Sequence, residues 1–142
     1  AFHNSRERAP PPKCHPETRR SILSEIADWI ALTSNFPQDH RRVLWLYGPA
    51  GAGKSAIAQT ISEFCAEAKT LAASFFFARG KDRRSVATYI FTTIAHQLAT
   101  SNPFLRLVIG KAVAKNRAIL EQRLDDQVRK SIVDPLKSLQ SA

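Results

Sequence analysis

Apolar residues recur along this chain with two different periods. Between Thr18 and Asn35, the residues Ile22, Ile26, Trp29 and Ile30 stand at i, i+4, i+7 and i+8, one face of a helix. Asn35-Phe36-Pro37 then supplies a stop, since the residue before proline disfavours helical backbone. Val43-Leu44-Trp45-Leu46-Tyr47, after Arg41-Arg42, is instead a short continuous apolar run, which predicts a buried strand. The helical period resumes with Ile57, Ile61, Phe64, Cys65 and Ala68 on one face. A second strand is predicted over Leu71-Ala72-Ala73-Ser74-Phe75-Phe76-Phe77, whose apolar end suits a strand covered on both sides. Val86, Ile90, Ile94 and Leu98 fall every fourth residue in a further helix, with His96 off that stripe. Asn102-Pro103 reads as an N-cap followed by proline at the first helical position, opening a helix through Leu105, Ile109, Ala112 and Val113. A last helix is predicted from near Asp125, carrying Val128 and Ile132 and bent or ended by Pro135. The whole predicts an α/β fold with a parallel sheet. Residues 1–17, polar and carrying Pro10-Pro11-Pro12, form an extended segment ahead of one body over 18–142.

Between the first predicted strand and its helix lies Gly48-Pro49-Ala50-Gly51-Ala52-Gly53-Lys54-Ser55, a complete G-x-x-x-x-G-K-[ST] loop in the strand–loop–helix context that such a motif requires. A phosphate chain needs many donors at short range and no side chains in the way. Backbone N–H groups around a concavity supply the donors, and glycine clears the space. The helix that follows aims its unpaired N–H groups and the positive end of its dipole at the same anion. Lys54 then reaches the β- and γ-phosphates as a compact cation, and the Ser55 hydroxyl is a ligand for a Mg²⁺ that bridges the same oxygens. The candidate site is therefore Gly48, Pro49, Ala50, Gly51, Ala52, Gly53, Lys54, Ser55 and Ala56, with ATP or GTP and Mg²⁺ as cofactors. A plain glycine-rich turn needs neither the Lys-Ser pair nor this spacing.

The 142 residues suffice for one domain, and 44% hydrophobic residues permit a packed core. No uninterrupted apolar run approaches the length of a membrane span, and the N-terminus is polar and basic. A cytoplasmic protein is expected, without membrane contact. The chain begins at Ala1 and contains no Met, which reads as an interior piece of a longer protein. Two cysteines, Cys14 and Cys65, are too few for a disulfide framework or a zinc site, and Cys65 falls on a core face. Neighbouring Cys14-His15 is poorly spaced to chelate one tetrahedral ion. The net charge of +9 admits a nucleic-acid partner, but the basic residues are scattered and lack aromatic interleaving. Arg79, Lys81, Arg83 and Arg84, with Asp82 among them, read as a solvated connection.

The acidic residue that normally holds Mg²⁺ at the end of a second buried strand has no counterpart. Ile132-Val133-Asp134 is the nearest match, but Arg129-Lys130-Ser131 before it and Pro135 after it do not read as a buried strand. Leu124-Asp125-Asp126 has helical neighbours.

Several segments in order resemble the N-terminal part of a NACHT-type nucleotide-binding domain, of the nephrocystin-3-like kind found in large fungal proteins and belonging to the STAND class of signal-transducing P-loop NTPases. These are Cys14-His15-Pro16-Glu17-Thr18-Arg19, Asp28-Trp29-Ile30, Leu44 through Ser55, Phe75-Phe76-Phe77-Ala78-Arg79, Ile94-Ala95-His96-Gln97-Leu98 and Ile132-Val133-Asp134-Pro135-Leu136. The resemblance implies a three-layer parallel sheet that is incomplete here, with only the first two strands and their flanking helices. Those two strands would be separated by later ones and could not pair directly. It also implies a nucleotide-dependent switch in a multidomain receptor, with the rest of its own chain as partner, a homo-oligomer on activation, and His15 and Pro16 approaching the base. The alternatives are a small P-loop kinase, which needs a substrate pocket and lid, and a nucleic-acid-dependent ATPase, which rests on charge alone.

Overall fold

The computed structural model describes residues 3, 4, 10, 13, 14, 18–35, 42–77, 87 and 89–140. It divides into two compact units, one drawn from residues 8–71 and the other from 72–142 with the segment 1–7. In the first unit, α1 (Arg20–Asn35) packs on α2 (Lys54–Glu67). In the second, α3 (Ile90–Ser101) and α4 (Pro103–Lys115) are followed by a 3-10 turn (Arg117–Glu121), α5 (Leu124–Val128), a π-helical stretch (Arg129–Val133) and α6 (Asp134–Gln140). No helix among the described residues is long and apolar enough to cross a membrane.

The expected α/β fold with a parallel sheet is not found. Among the described residues there is no strand, and all regular structure is helical. Residues 43–47 and 71–77 lack the ladder that would make them strands. A ladder needs a second backbone to exchange N–H and C=O groups with, and neither segment has one among the described residues. Val43, Trp45 and Tyr47 are each 82% exposed, so the apolar run does not mark a buried strand. In the second segment a side chain takes the place of a ladder partner. The Gln97 amide accepts from Ser74 N at 3.1 Å and donates to Ser74 O at 2.9 Å. One residue thereby has both backbone groups paired without a neighbouring strand. Phe75 and Phe77, two apart on this segment, meet edge to face at 5.2 Å.

The helices follow the sequence pattern closely. Ile26 is the buried residue of α1, with Ile22, Trp29 and Ile30 half-buried beside it. In α2 the buried stripe is Ala56, Ile57, Gln59, Ser62 and Cys65, while Phe64 and Ala68, expected on the core face, are exposed. Two polar residues of that stripe make hydrogen bonds along the helix. Ser62 Oγ donates to the Ala58 carbonyl and Gln59 Nε2 to Glu63. The helix ends in a Schellman arrangement. Thr70 N donates to Cys65 O at 2.8 Å and Lys69 N to Ala66 O at 3.0 Å. Lys69 occupies the left-handed position of this turn, at φ +58°.

The second unit is built on an αα-hairpin. Asn102 alone separates α3 from α4, and its Oδ1 accepts from Phe104 N at 2.8 Å and from Leu105 N at 3.4 Å. Pro103 sits at the first helical position, where a missing N–H goes unnoticed. The core joins Ala95 and Leu98 of α3, Ile109 of α4 and Ile132 of the π-helical stretch. Ile94, Leu105, Val113 and Val128 pack against it. Pro135 does not end the last helix but is the second residue of α6. Its ring would clash with the carbonyl four residues back, and the π-helical turn Arg129–Val133 lies where that clash would fall. Helix then continues to Gln140. Phe36, Pro37, the basic residues 79–84 and Val86 lie outside the described residues, as do Pro11 and Pro12.

Two stability predictions follow from these turns. Lys69→Gly removes a side chain from a left-handed position and is expected to stabilise the chain by about 0.5–1 kcal/mol, read as a rise in melting temperature; a fall contradicts the turn. Asn102→Ala removes the cap of α4 and is expected to destabilise by about 1 kcal/mol in urea unfolding. An unchanged midpoint would mean that the cap contributes nothing.

Candidate phosphate-binding loop

The loop from Gly48 to Ser55 owes its shape to two left-handed glycines. Gly51 has φ +79° and Gly53 has φ +80°, a region that L side chains enter only at a cost. Gly53 is also the N-cap of α2. No side chain caps this end, and Gly53 O accepts from both Ala56 N and Ile57 N at 3.0 Å. The first turn of a helix has amides that its own carbonyls cannot reach. Here those of Lys54 and Ser55 have no acceptor among the described residues, nor do those of Gly51 and Gly53. Four donors are therefore gathered within five residues, beside the positive end of the α2 dipole.

Lys54 folds back over the loop that precedes it. Its Nζ donates to Gly48 O and to Pro49 O, both at 2.7 Å. These two carbonyls are neutral acceptors, so the ammonium has no counter-charge among the described residues. A phosphate oxygen near the same amides would give it one. Within the loop, Ala52 N donates to Pro49 O at 3.3 Å, closing a turn. Gly51 faces open space, with nothing within 4 Å of a side chain placed there.

Gly48 to Gly53 form the connection ahead of α2, Lys54 opens that helix, Ser55 is exposed in its first turn, and Ala56 is buried. The Ser55 hydroxyl is thus open to a ligand. No cluster of three or more His, Cys, Asp or Glu side chains that could hold a metal ion exists among the described residues. Asp134 opens α6 and is exposed, while Asp126 meets Arg129 at 2.8 Å and Lys130 at 3.8 Å. Both lie on helices, so neither has the strand setting expected of a metal-site acid. Cys65 is a buried core residue, and His96 is exposed. His15 and Pro16 lie outside the described residues.

One contact was not legible as a site feature in the sequence. Arg19, the residue before α1, reaches the loop and donates from Nη2 to Ala52 O at 3.0 Å. The segment that carries it is tied to α2 by two further contacts. Cys14 N donates to Thr60 Oγ1 at 3.3 Å, and Lys13 pairs with Glu63 at 2.8 Å. The ion pair is partly exposed and contributes little by itself. No sequence period marks Arg19, because the contact depends on a turn before α1 and a carbonyl 33 residues downstream.

These parts fit a comparison with known families. The model of the family described as nephrocystin 3, N-terminal, matches residues 18–142, a span that takes in α1, the loop, α2 and all of the helices that follow. No curated protein and no solved structure matches the chain. A match over this span decides the family: the chain belongs to the nephrocystin 3 N-terminal family.

Proposed function

We propose that this chain is a nucleotide-binding module, holding the phosphates of ATP or GTP in the loop Gly48–Ala56 as the switch of a larger, signal-transducing protein of the NACHT type. The observation that carries the reading is that the Lys54 ammonium, folded onto Gly48 O and Pro49 O, and four amides without an acceptor among the described residues, those of Gly51, Gly53, Lys54 and Ser55, belong to one short stretch at the start of α2. Any one of these features is common. Together they offer a cation and four N–H donors to one anion, which a structural turn does not require.

The residues divide the work by their chemistry. The amides bind without a side chain, so the phosphates lie against the backbone where Gly51 leaves room. Lys54 exchanges its two carbonyl acceptors for the β- and γ-phosphate oxygens and adds charge complementarity. Ser55 would hold a Mg²⁺ through its exposed hydroxyl. When bound, Mg²⁺ neutralises the phosphate charge and fixes the chain's geometry. The reading is one of binding and switching, and assigns no hydrolytic step to residues of this chain. Its partners are the nucleotide, the remainder of a multidomain chain and, in the activated state, further copies.

Titration with fluorescent ATP and GTP analogues plus Mg²⁺ tests the proposal. The wild-type chain is expected to bind saturably. Lys54→Ala, shown by circular dichroism to retain its helices, is expected to weaken binding at least tenfold, the scale of one charged hydrogen-bonding group. A folded wild-type chain that binds neither analogue contradicts the reading. Phosphoryl transfer to a nucleoside would point to a kinase instead, and steeply salt-dependent binding to DNA or RNA to a nucleic-acid-dependent ATPase.

A further inference from the structure

We propose that Arg19 is a positioning residue for the phosphate loop, fixing the Ala52–Gly53 peptide so that the Gly53 amide is presented to the anion. The inference rests on the nucleotide-binding reading of that loop. Its starting point is a backbone outlier. Arg19 has φ +60°, and among the described non-glycine residues only Lys69 shares a positive φ. Lys69 is accounted for by the left-handed turn that ends α2. Arg19 stands at the opposite kind of place, just before α1, where the cap residue ordinarily takes an extended backbone. Its carbonyl nonetheless accepts the first bond of that helix, from Leu23 N at 3.1 Å. A left-handed arginine is unfavourable in isolation and persists where its surroundings hold it.

What the side chain does there is specific. Nη2 donates to Ala52 O at 3.0 Å. A Cβ built on Gly53 would lie 2.5 Å from Nη2, 2.6 Å from Cζ and 2.7 Å from Nη1. The guanidinium therefore occupies the space that any side chain at Gly53 would need, which gives this glycine a second reason besides its φ of +80°. The peptide bond between Ala52 and Gly53 is planar and trans, so its C=O and N–H point in opposite directions. With Ala52 O turned to Arg19, the Gly53 N–H is turned away from Arg19, and it has no acceptor among the described residues. Arg19 thus fixes, through one carbonyl, the direction of one of the four donors of the loop. The guanidinium pairs with no carboxylate among the described residues; its other contact is Nη1 to Cys14 Sγ at 3.9 Å.

The test compares Arg19→Ala and Arg19→Lys with wild type in the full chain. Two readouts are taken: the Gly53 amide resonance in the nucleotide-free protein, and affinity for the Mg²⁺-ATP analogue at low and high salt. Arg19→Ala is expected to move the Gly53 resonance and to weaken binding about tenfold. The factor should be the same at both salt concentrations, because a lost peptide orientation is not screened. Arg19→Lys retains a charged donor and is expected to restore most of both. If Arg19→Ala loses its helical signal in circular dichroism, Arg19→Gln takes its place in the same comparison. A Gly53 resonance that does not move overturns the proposal, even when affinity falls, because Arg19 would then act on the ligand directly. Unchanged affinity overturns it as well. Failure of the wild-type chain to bind nucleotide defeats the nucleotide reading instead, and the free-protein resonance still decides whether Arg19 holds the peptide.

Discussion

The amides at the start of an α-helix lie beyond reach of the helix's own carbonyls, and the way a chain deals with them decides what that end of the helix can do. In most helices a side chain of the preceding residue caps them. In α2 the preceding residue is Gly53, which has no side chain, and the amides of Lys54 and Ser55 are left without an acceptor among the described residues. That one substitution of capacity for capping organises the first unit. The left-handed backbone of Gly51 and Gly53 curls the loop, Lys54 closes it from within and Arg19 braces it from outside.

The second unit solves a different problem with the same economy. Its extended stretch has no neighbouring strand among the described residues, and Gln97 on α3 pairs both backbone groups of Ser74. Asn102 caps α4 and separates it from α3 by a single residue, which brings Ala95 and Leu98 against Ile109. The last helical stretch accommodates Pro135 through a π-helical turn, and Ile132 in that turn belongs to the same core. Polar side chains stand in for backbone partners at both Asn102 and Gln97.

Helices were legible in the sequence because their signals are local. The stripe in α1, the Asn102-Pro103 start of α4 and the core face of α3 depend only on spacing and capping chemistry within one segment. The sheet was misread because a strand is not a property of one segment. Val43–Tyr47 has the composition of a buried strand, yet Trp45 and Tyr47 stand exposed and no second backbone completes a ladder among the described residues. On α2, Phe64 was placed in the core by its period, whereas Gln59 and Ser62 are buried and make hydrogen bonds that periodicity does not register. The loop is readable as a motif because its G-x-x-x-x-G-K-[ST] spacing is local to one stretch of sequence. Arg19 is not, since its role arises only when a residue before α1 meets a carbonyl after Gly51.

The proposed function stands or falls on whether the backbone amides at the α2 N-terminus form an anion site. It is tested most directly by titrating inorganic tripolyphosphate into isotopically labelled protein and following every backbone amide by NMR. The account predicts saturable shifts that are largest at Gly51, Gly53, Lys54 and Ser55. Shifts that bypass these four amides, or that spread over exposed lysines and arginines in proportion to charge, would contradict it.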